Sequence, residues 1–399
     1  MKLNQLLRGV ALTGCRADQD VEITGVSYDT RTMAPGGLFA ALEGYKTDGQ
    51  LYIREALEKG AVAVLCRRAP DFDGPWLMAE DPRAALALIS ANWFGHPAEA
   101  LTCVAVTGTN GKTTTTYLLK AALEGALHAK VGLIGTNQNM IGEEVLPAHR
   151  TTPESYELQE LLRAMADAGC THVVMEASSI ALVLHRTGGI RFAAGIFTNL
   201  TPDHLDFHGT MEAYRTAKGL LFDQTDLAVV NLDDDAGRYY AESAPCPVFT
   251  YSERKDEADL VAKNIRLFPS HVEFEAVARN TIGRIFLPIP GGFSIYNALR
   301  GGVCPEPGRR TSGHRRRPAL GKGGERAGRG GPRSGGLYGH HRLCPYAGCP
   351  GEHPYHGAGS DGPAGHLPVW LRRRPGQEQA SCDGLHCRGP CRYMCRHLG

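Results

Sequence analysis

The sequence predicts an α/β fold, in which a small N-terminal α/β domain precedes a larger, mostly parallel, doubly wound sheet. Three observations lead to this prediction. Short apolar runs alternate with helical stretches from the start of the chain to about residue 304. In the larger part these runs are apolar throughout, which is typical of parallel strands covered by helices on both faces. One run also leads into a glycine-rich turn and then a helical stretch.

Length and composition limit the class of protein. The 399 residues, 42% of them hydrophobic, suffice for two or three domains. The net charge of +1 indicates no nucleic-acid partner. No long apolar run follows Met1–Arg8, and no uncharged apolar stretch approaches ~18 residues. We therefore expect a cytoplasmic monomer that does not insert into a membrane.

The first segment, residues 1–97, reads as the small α/β domain. Its predicted strands and helices are Val21–Thr24, Gly37–Ala40, Ala61–Leu65, Tyr52–Lys59 and Pro82–Trp93. Two polar turns, Tyr28–Arg31 and Gly44–Gly49, lie beside these strands. They suit ligand binding, although ordinary surface turns fit them about as well.

The second segment, residues 98–304, carries the apolar strands of the larger sheet. They are predicted at Cys103–Val106, Val131–Ile134, His172–Met175, Gly195–Phe197 and Leu227–Val230. Ligands of such sheets collect at the carboxyl ends of the strands. The polar residues that follow each strand are therefore the candidates for function.

The strongest candidate is Val104–Thr114, a P-loop-type stretch of strand, glycine turn and helix start. Backbone N–H groups and the positive end of the helix can hold phosphates, while Lys112 reaches them and Thr113 holds Mg²⁺. The spacing Gly108-x-x-Gly111 is shorter than usual, because Val106 stands where the common motif has glycine. A chance Gly-Lys-Thr in a turn is the alternative, but the order of strand, turn and helix favours phosphate binding.

Three further polar residues are open to two interpretations. Glu176 directly follows a strand and is placed to hold Mg²⁺ directly or through water, or else it is structural. His204, taken alone, fits a helix-start histidine better than a metal ligand. Lys218, on a helical stretch, fits a solvated surface lysine by default.

Several stretches together resemble the Mur ligases, which build the stem peptide of bacterial peptidoglycan. They are Gly108–Thr114, Thr151–Glu154, Met175–Ser179, Thr198–Gly209, Tyr214–Lys218 and Gly291–Leu299. The resemblance is nearly continuous from the amino terminus to about Cys304, with the motifs in family order. Ile180 and Leu184 depart from the family, which often has His and Gln at these positions.

The resemblance implies roles for the nucleotide and metal residues. ATP is bound by Gly108, Thr109, Asn110, Gly111, Lys112, Thr113 and Thr114, with Asn297 at the adenine. Mg²⁺ is held by Thr113, Glu176, His204 and Lys218, the last after carbamoylation, which turns its ammonium into a carboxylate-like ligand. Lys112, Glu176, His204 and Lys218 are thus the implied catalytic residues.

The resemblance also implies the substrates. It is nearest to members that add a diamino acid, meso-diaminopimelate or lysine, to UDP-MurNAc-L-Ala-D-Glu. The implied contacts to that sugar peptide are Tyr28, Thr30, Tyr45, Lys46, Thr47, Thr151, Thr152, Ser178 and Arg186. Two alternatives remain open: a ligase like folylpolyglutamate synthase, and a module that binds the nucleotide or sugar peptide without turnover.

The tail, residues 305–399, has a different composition from the rest. It contains no Ile, Phe or Asn, and Arg, Gly, Pro, Cys and His dominate, so it cannot bury a core. Seven of the 12 cysteines lie from Cys304 onward. A zinc site at Cys382, Cys387, Cys391 and Cys395 with His386 and His397 is the alternative, but no Cys-x2-Cys spacing supports it.

A change of reading frame explains the tail better. Read from the second base of each codon, residues 342–357 can encode Asp-Tyr-Ala-His-Thr-Pro-Asp-Ala-Leu-Glu-Asn-Ile-Leu-Thr-Thr. In that frame residues 369–381 can encode Phe-Gly-Cys-Gly-Gly-Asp-Arg-Asp-Lys-Ser-Lys-Arg, and residues 305–309 Leu-Ser-Leu-Gly-Val. These strings resemble the carboxy-terminal domain of Mur ligases, in order. We infer one extra nucleotide near the codons of Cys304 and Pro305.

This inference has a functional consequence. Residues 305–399 are expected to be an out-of-frame, low-complexity, disordered tail in place of the family's amino-acid-binding domain. The translated chain is therefore expected to bind nucleotide weakly and to ligate poorly or not at all.

Overall fold

The computed structural model describes residues 1–44, 47–71, 73–278 and 281–301, which form two β-sheets with helices around them. The predicted α/β class is confirmed. The predictions for residues 305–399, and those for Tyr45 and Lys46, lie outside the described residues. The domain limits at residues 97 and 304 stay predictions.

The smaller sheet lies within the first segment and has five strands. They are β1 Gly14–Cys15, β2 Val26–Ser27, β3 Leu38–Ala40, β4 Ala63–Cys66 and β5 Trp76–Met78. Their order is β1-β5-β4-β3-β2, and only the β1–β5 pair is antiparallel. The helices of this segment are α1 Leu3–Leu6, α2 Ile53–Glu58 and α3 Pro82–Trp93.

The strand predicted at Val21–Thr24 is wrong. This stretch makes one β-bridge, from Lys2 to Glu22, and the strand β2 begins only at Val26. The reason is local, because the backbone of residues 21–24 is hydrogen-bonded to the amino-terminal residues and to Gly36 instead of to a strand.

Helix α3 begins where the sequence predicts. The Asp81 side chain accepts hydrogen bonds from the N–H groups of Arg83 and Ala84, and Pro82 occupies the first turn. A carboxylate cap followed by proline satisfies the free N–H groups of a helix start. The helix then packs against α5, Ser155–Asp167, and so joins the first segment to the second.

The larger sheet has eleven strands. They are β6 Thr102–Thr107, β7 Val131–Ile134, β8 Asn139–Ile141, β9 Glu144–Leu146, β10 His172–Glu176, β11 Ala194–Phe197, β12 Ala228–Asn231, β13 Val248–Ser252, β14 Leu260–Leu267, β15 Val272–Ala278 and β16 Thr281–Leu287. Their order is β16-β15-β14-β13-β12-β11-β6-β10-β7-β8-β9.

The remaining helices follow these strands. They are α4 Lys112–Leu127, α6 Ser179–Val183, α7 Leu205–His208, α8 Met211–Asp223, α9 Asp235–Ser243 and α10 Phe293–Gly301, with 3₁₀ turns at Gly49–Tyr52 and Pro97–Ala100. Within the described ranges, the helices are too short or too polar to cross a membrane.

Strand β6 is the point from which the sheet grows in both directions. β10 pairs with it on one side and β11 on the other, both in parallel. The ends of strands on either side of such a switch point diverge and leave a crevice at their carboxyl ends. The glycine-rich turn that follows β6 therefore opens into this crevice.

Alternate residues of β6 face two different helix layers. Val104 and Val106 pack in a buried cluster with α4 and α10, whereas Cys103 and Ala105 pack with α5, α6 and α8. The sheet is thus covered on both faces, which explains why the central strands are apolar throughout.

The two edges of the large sheet differ from the predicted parallel pattern. Strands β8 and β9 form an antiparallel hairpin on β7, and β15 and β16 extend β14 in antiparallel fashion. The outer strands β9 and β16 are partly exposed, so their sequences lack the continuous apolar run that marked the central strands.

Candidate active site

The turn between β6 and α4 requires glycine at two positions. Gly108 has φ +141°, and a Cβ there would lie 1.8 Å from the Thr198 hydroxyl oxygen. Gly111 has φ +83° and immediately precedes the first turn of α4. Only glycine adopts these conformations without strain, so the short spacing noted in the sequence forms one tight turn at a helix start.

The segment after β11 holds this turn in place by hydrogen bonds. The Thr198 hydroxyl donates to the Asn110 carbonyl at 2.7 Å, and the Asn199 side chain accepts from the Asn110 N–H at 2.9 Å. The Thr109 N–H donates to the Asn199 carbonyl at 2.8 Å. The N–H groups left for an anion are therefore those at the start of α4, which have no intrahelical partner.

Lys112 folds back over the turn. Its Nζ donates to the carbonyls of Gly108 at 3.0 Å and Thr109 at 2.9 Å. Burial lowers the pKa of Lys112, while the negative charges of Glu176 and Asp203 oppose that shift. The ammonium is thus held next to the N–H groups that begin α4.

Glu176 is the centre of a buried hydrogen-bond network at the end of β10. Its Oε1 accepts from the Thr113 hydroxyl at 3.0 Å and from the Thr136 N–H at 2.9 Å, and its Oε2 accepts from the Thr136 hydroxyl at 3.0 Å. The Thr136 hydroxyl also lies 3.1 Å from that of Thr151. Thr136 was not among the predicted site residues, although it follows strand β7 at the same edge of the sheet.

Three of the other predicted residues are connected to the backbone of Glu176 through Thr152. The Thr152 hydroxyl donates to the Glu176 carbonyl at 2.8 Å and accepts from the Ser178 N–H at 3.1 Å. Arg186 Nη1 donates to the Thr152 carbonyl at 3.2 Å. The structure therefore brings Thr151, Thr152, Ser178 and Arg186 together beside the P-loop-type turn.

A buried carboxylate at the end of the stretch Thr151–Glu154, for which no role was predicted, also binds Arg186. Glu154 lies within 3.3 Å of Arg83, 2.9 Å of Arg150 and 2.8 Å of Arg186. Burial lowers the pKa of Arg186, and Glu154 opposes that shift. Three guanidinium groups surround one carboxylate, and this excess of positive charge suits an anionic ligand.

Lys218 is buried on α8, not solvated. Its Nζ lies 4.2 Å from the centre of the Tyr214 ring. Burial lowers the pKa of Lys218 to about 7, the charge of Lys112 adds to that shift, and Asp203 opposes it. A lysine amine with so low a pKa is partly neutral at pH 7 and therefore nucleophilic.

His204 occupies the left-handed conformation, with φ +51°, at the start of α7. Its half-exposed ring lies 3.6 Å from the Asp203 carboxylate and 6.2 Å, centre to centre, from Tyr214. A second histidine that was not predicted, His208, stacks on Tyr214 and lies 2.9 Å from the Ser179 hydroxyl.

The four predicted metal ligands fall into two pairs. Thr113 and Glu176 touch each other, whereas His204 and Lys218 are connected through the Tyr214 ring. Among the residues that the structure describes, no three His, Cys, Asp or Glu side chains converge as a metal cluster would require.

Asn297 lies in the floor beneath the glycine turn. Its Oδ1 accepts from Arg300 Nη1 at 2.7 Å and lies 3.4 Å from the Thr115 hydroxyl. A Cβ at Gly111 would lie 2.9 Å from the same oxygen. The predicted adenine contact is thus close to the predicted phosphate site.

The residues predicted in the first segment are less closely connected to this site. The Tyr28 hydroxyl donates to Glu157 on α5 at 2.5 Å, and burial and Glu157 raise the pKa of Tyr28. The buried Thr30 accepts from Lys59 through its carbonyl, and the Thr47 hydroxyl donates to Tyr52. Only Tyr28 is thereby tied to the second segment.

A cavity of about 550 Å³ lies where the two segments meet. Asp48, Arg67 and Arg68 line it from the first segment, and Val183 and Leu184 line it from α6 and the residue after it. Arg83, one of the partners of Glu154, also reaches this cavity. Through Arg83 the cavity adjoins the arginines that surround Glu154.

Models of known families match most of the described chain. Residues 22–98 match the model described as "Mur ligase family, catalytic domain", and residues 106–304 match "Mur ligase middle domain". The second match ends at the residue where the composition of the sequence changes.

Curated relatives and a solved structure agree with these matches. The UDP-N-acetylmuramoyl-L-alanyl-D-glutamate–2,6-diaminopimelate ligases of Caldanaerobacter subterraneus and Clostridium botulinum are 46% and 41% identical over 302 and 310 residues. These alignments cover 75% and 76% of this chain but only 62% and 64% of the relatives, so the chain spans less than two thirds of their length.

Two solved structures share the fold. One is of a UDP-N-acetylmuramoyl-L-alanyl-D-glutamate–2,6-diaminopimelate ligase, with a TM-score of 0.64 and 27% identity over 75% of this chain and 62% of the other. The other is MurF from Acinetobacter baumannii, with a TM-score of 0.53 and 20% identity over 75% of this chain and 63% of the other.

Proposed function

Since this chain belongs to the Mur ligase family, we propose that its site is that of an ATP-dependent ligase joining meso-diaminopimelate to UDP-MurNAc-L-Ala-D-Glu. One observation carries the proposal. The carboxylate of Glu176 is bonded both to Thr113, beside the nucleotide turn, and to Thr136, which reaches the substrate-side Thr151. The buried Glu176 carboxylate thus connects the proposed nucleotide site to the proposed sugar-peptide site.

The nucleotide binds at the turn of residues 108–114. The N–H groups that begin α4 hold its phosphates, because they have no intrahelical partner and lie at the positive end of the helix. Lys112 leaves its two carbonyl partners to contact the phosphates. Asn297 contacts the adenine.

The residues present fit Mg²⁺. This ion prefers oxygen ligands and takes one or two carboxylates together with phosphate oxygens and water. Thr113 and Glu176 supply a hydroxyl and a carboxylate in contact with each other. His204 and carbamoylated Lys218 are the further ligands in this proposal. Bound Mg²⁺ supplies positive charge against the phosphates.

Carbamoylation of Lys218 is consistent with its surroundings. The neutral amine attacks carbon dioxide, a C–N bond forms, and one proton leaves to solvent to give the carbamate. Burial favours the neutral amine that this step requires. The carbamate oxygen then replaces an ammonium that Lys112 repels.

The UDP-sugar peptide occupies the cleft between the segments. Tyr28, Thr30, Tyr45, Lys46 and Thr47 contact it from the first segment. From the second, its contacts are Thr151, Thr152, Ser178 and Arg186. Its phosphates and carboxylates suit the arginines around Glu154, which carry more positive charge than Glu154 neutralises.

The reaction proceeds in two steps. A carboxylate oxygen of the dipeptide attacks the γ-phosphorus, the bond to the bridging oxygen breaks, and ADP leaves behind an acyl phosphate. The amino group of diaminopimelate then attacks the acyl carbon, loses a proton and displaces phosphate. Lys112 contributes by neutralising phosphate charge, and the fixed cleft contributes by holding the reactants in position.

The frame change remains part of the proposal. If residues 305–399 replace the amino-acid-binding domain, this 399-residue chain lacks the pocket for diaminopimelate and ligates poorly. The second candidate function, binding without turnover, applies to that translated chain.

A paired ligation assay tests the proposal. The 399-residue chain and a frame-restored chain are incubated with ATP, UDP-MurNAc-L-Ala-D-Glu and either meso-diaminopimelate or lysine, with a folate and glutamate arm as control. We expect mass spectrometry to detect the tripeptide, with equal ADP and phosphate, only from the restored chain with the sugar peptide. Full activity of the 399-residue chain would contradict the predicted impairment, and ligation in the folate arm alone would contradict the proposed substrate.

A further inference from the structure

Thr136 contacts both Glu176, which is proposed to hold Mg²⁺, and Thr151, which is proposed to contact the sugar peptide. It follows β7 in the crevice, and its hydroxyl lies 3.0 Å from Oε2 of Glu176 and 3.1 Å from the hydroxyl of Thr151. The side chain is exposed, so it borders the crevice in which the ligands are proposed to bind. Neither the motifs of the sequence nor the roles implied by the family resemblance include it.

The directions of these hydrogen bonds follow from counting protons. The Thr136 hydroxyl is placed to donate both to Oε2 of Glu176 and to the hydroxyl of Thr151, but it carries a single proton. That proton therefore bonds one of the two oxygens at a time. Donation to Glu176 and donation to Thr151 exclude each other.

The backbone around Thr136 holds the same carboxylate. Its N–H donates to Glu176 Oε1 at 2.9 Å, and a Cβ on Gly135 would lie 2.6 Å from that oxygen. The loop therefore fits closely around Glu176. Replacing Thr136 by valine removes the hydroxyl contacts to Oε2 of Glu176 and to Thr151, and it keeps the backbone bond to Oε1.

We propose that Thr136 is a positioning residue that couples the Glu176 carboxylate to Thr151, because its one hydroxyl proton is donated to one group or to the other. This inference rests on the proposed function. Since Thr151 accepts from Thr136, its own proton is free to be donated to an oxygen of the ligand, a carbonyl or a carboxylate. A change in the contacts of Glu176 on the metal side then changes the hydrogen bonding of Thr151 on the substrate side.

The first test needs no catalysis. Threonine methyl groups of the 399-residue chain are followed by NMR during addition of Mg·ADP. We expect the methyl signals of Thr113, Thr136 and Thr151 to shift together in the wild type. In Thr136→Val the Thr113 shift remains and the Thr151 shift disappears, and Thr136→Ser restores it. Thr281→Val, in the exposed part of β16, is the matched control and leaves all three unchanged.

The second test measures binding of UDP-MurNAc-L-Ala-D-Glu by calorimetry. Loss of one oriented hydrogen bond is expected to weaken binding by about three- to tenfold in Thr136→Val. The effects of Thr136→Val and Thr151→Val are expected to be non-additive in the double variant, because both changes break the same contact between the two hydroxyl groups. Thr136→Ser is expected to restore the wild-type affinity.

The outcomes separate this inference from the proposed function. A wild type that binds neither Mg·ADP nor the sugar peptide contradicts the proposed function and the coupling with it. A wild type that binds both, with a Thr151 signal and a sugar-peptide affinity unaffected by Thr136→Val, contradicts only the role of Thr136. Additive effects of Thr136→Val and Thr151→Val also contradict it.

Discussion

The ammonium of Lys218 lies 4.2 Å from the centre of the Tyr214 ring, one turn earlier on helix α8. The same tyrosine stacks on His208, and its hydroxyl lies 3.4 Å from that of Thr109 in the glycine turn. One buried aromatic side chain thus contacts the proposed nucleotide turn through its hydroxyl and Lys218 through its ring face.

This arrangement predicts that the ring, not the hydroxyl, holds Lys218. Tyr214→Phe is expected to keep the carbamate that ¹³C NMR detects after addition of ¹³C-bicarbonate, whereas Tyr214→Leu is expected to lose most of it. The ring covers the amine and keeps it buried, and burial favours the neutral form that reacts with carbon dioxide. An equally strong carbamate signal in Tyr214→Leu would show that the ring does not position the lysine.

Burial of Lys218 predicts a pH-dependent stability. Its pKa of about 7 in the folded protein lies below the ordinary value of 10.5, so between these values the unfolded chain binds more protons. The free energy of unfolding therefore gains a contribution that increases from pH 7 to about pH 10. In urea unfolding without carbon dioxide, Lys218→Met removes this contribution.

The difference in unfolding free energy between Lys218→Met and the wild type gives the sign of this pH dependence. Lys218→Met is expected to exceed the wild type in stability most at pH 6–7, where burying the ammonium costs the wild type most, and the difference is expected to shrink toward pH 10. A difference that is constant with pH, or that grows as the pH rises, would contradict the lowered pKa.

The position of Lys112 predicts a loss of nucleotide binding when its charge is removed. Lys112→Met is expected to weaken Mg·ADP binding at least tenfold, because the ammonium sits beside the N–H groups that begin α4. Lys2→Met, at an exposed lysine of the first segment, is the control and is expected to change nothing. Calorimetry on the 399-residue chain measures both, and equal affinities would rule out phosphate binding at this turn.

Two glycines in the same region predict opposite effects of alanine. Gly108→Ala places a Cβ 1.8 Å from the Thr198 hydroxyl at φ +141°, and is expected to cost about 2 kcal/mol or more in the free energy of unfolding. Gly125→Ala, on the exposed side of α4 with no atom within 4 Å, is expected to add up to about 1 kcal/mol. Urea unfolding measures both, and two changes of the same sign would contradict the strain assigned to the turn.

The parts of the fold that the sequence predicted are those with strong local signals. The start of α3 is predictable because Asp81 and Pro82 mark it, and the central strands because they are apolar on both faces. The hairpins at the edges of the sheet were not predictable in this way. Their partly exposed strands carry mixed sequences that only the neighbouring strand stabilises.

The residues of the candidate site also differ in how strong a local sequence signal they have. Gly108, Lys112 and Glu176 stand in motifs or directly after strands, so their spacing indicated their place. Thr136 stands in no motif, and Glu154 stands at the end of the stretch Thr151–Glu154 with no role indicated there. The contacts that place them in the site include partners 15 to 71 residues away. Contacts over such separations depend on the folded sheet and are not visible in local sequence.

The most direct test of the central claim follows an oxygen atom. UDP-MurNAc-L-Ala-D-Glu with ¹⁸O in its carboxylates, ATP and meso-diaminopimelate are given to the frame-restored chain, and the released phosphate is weighed by mass spectrometry. If the turn of residues 108–114 presents the γ-phosphate to the peptide carboxylate, each ligation is expected to leave one ¹⁸O in phosphate. Tripeptide formed together with unlabelled phosphate would contradict an acyl phosphate and the account built on it.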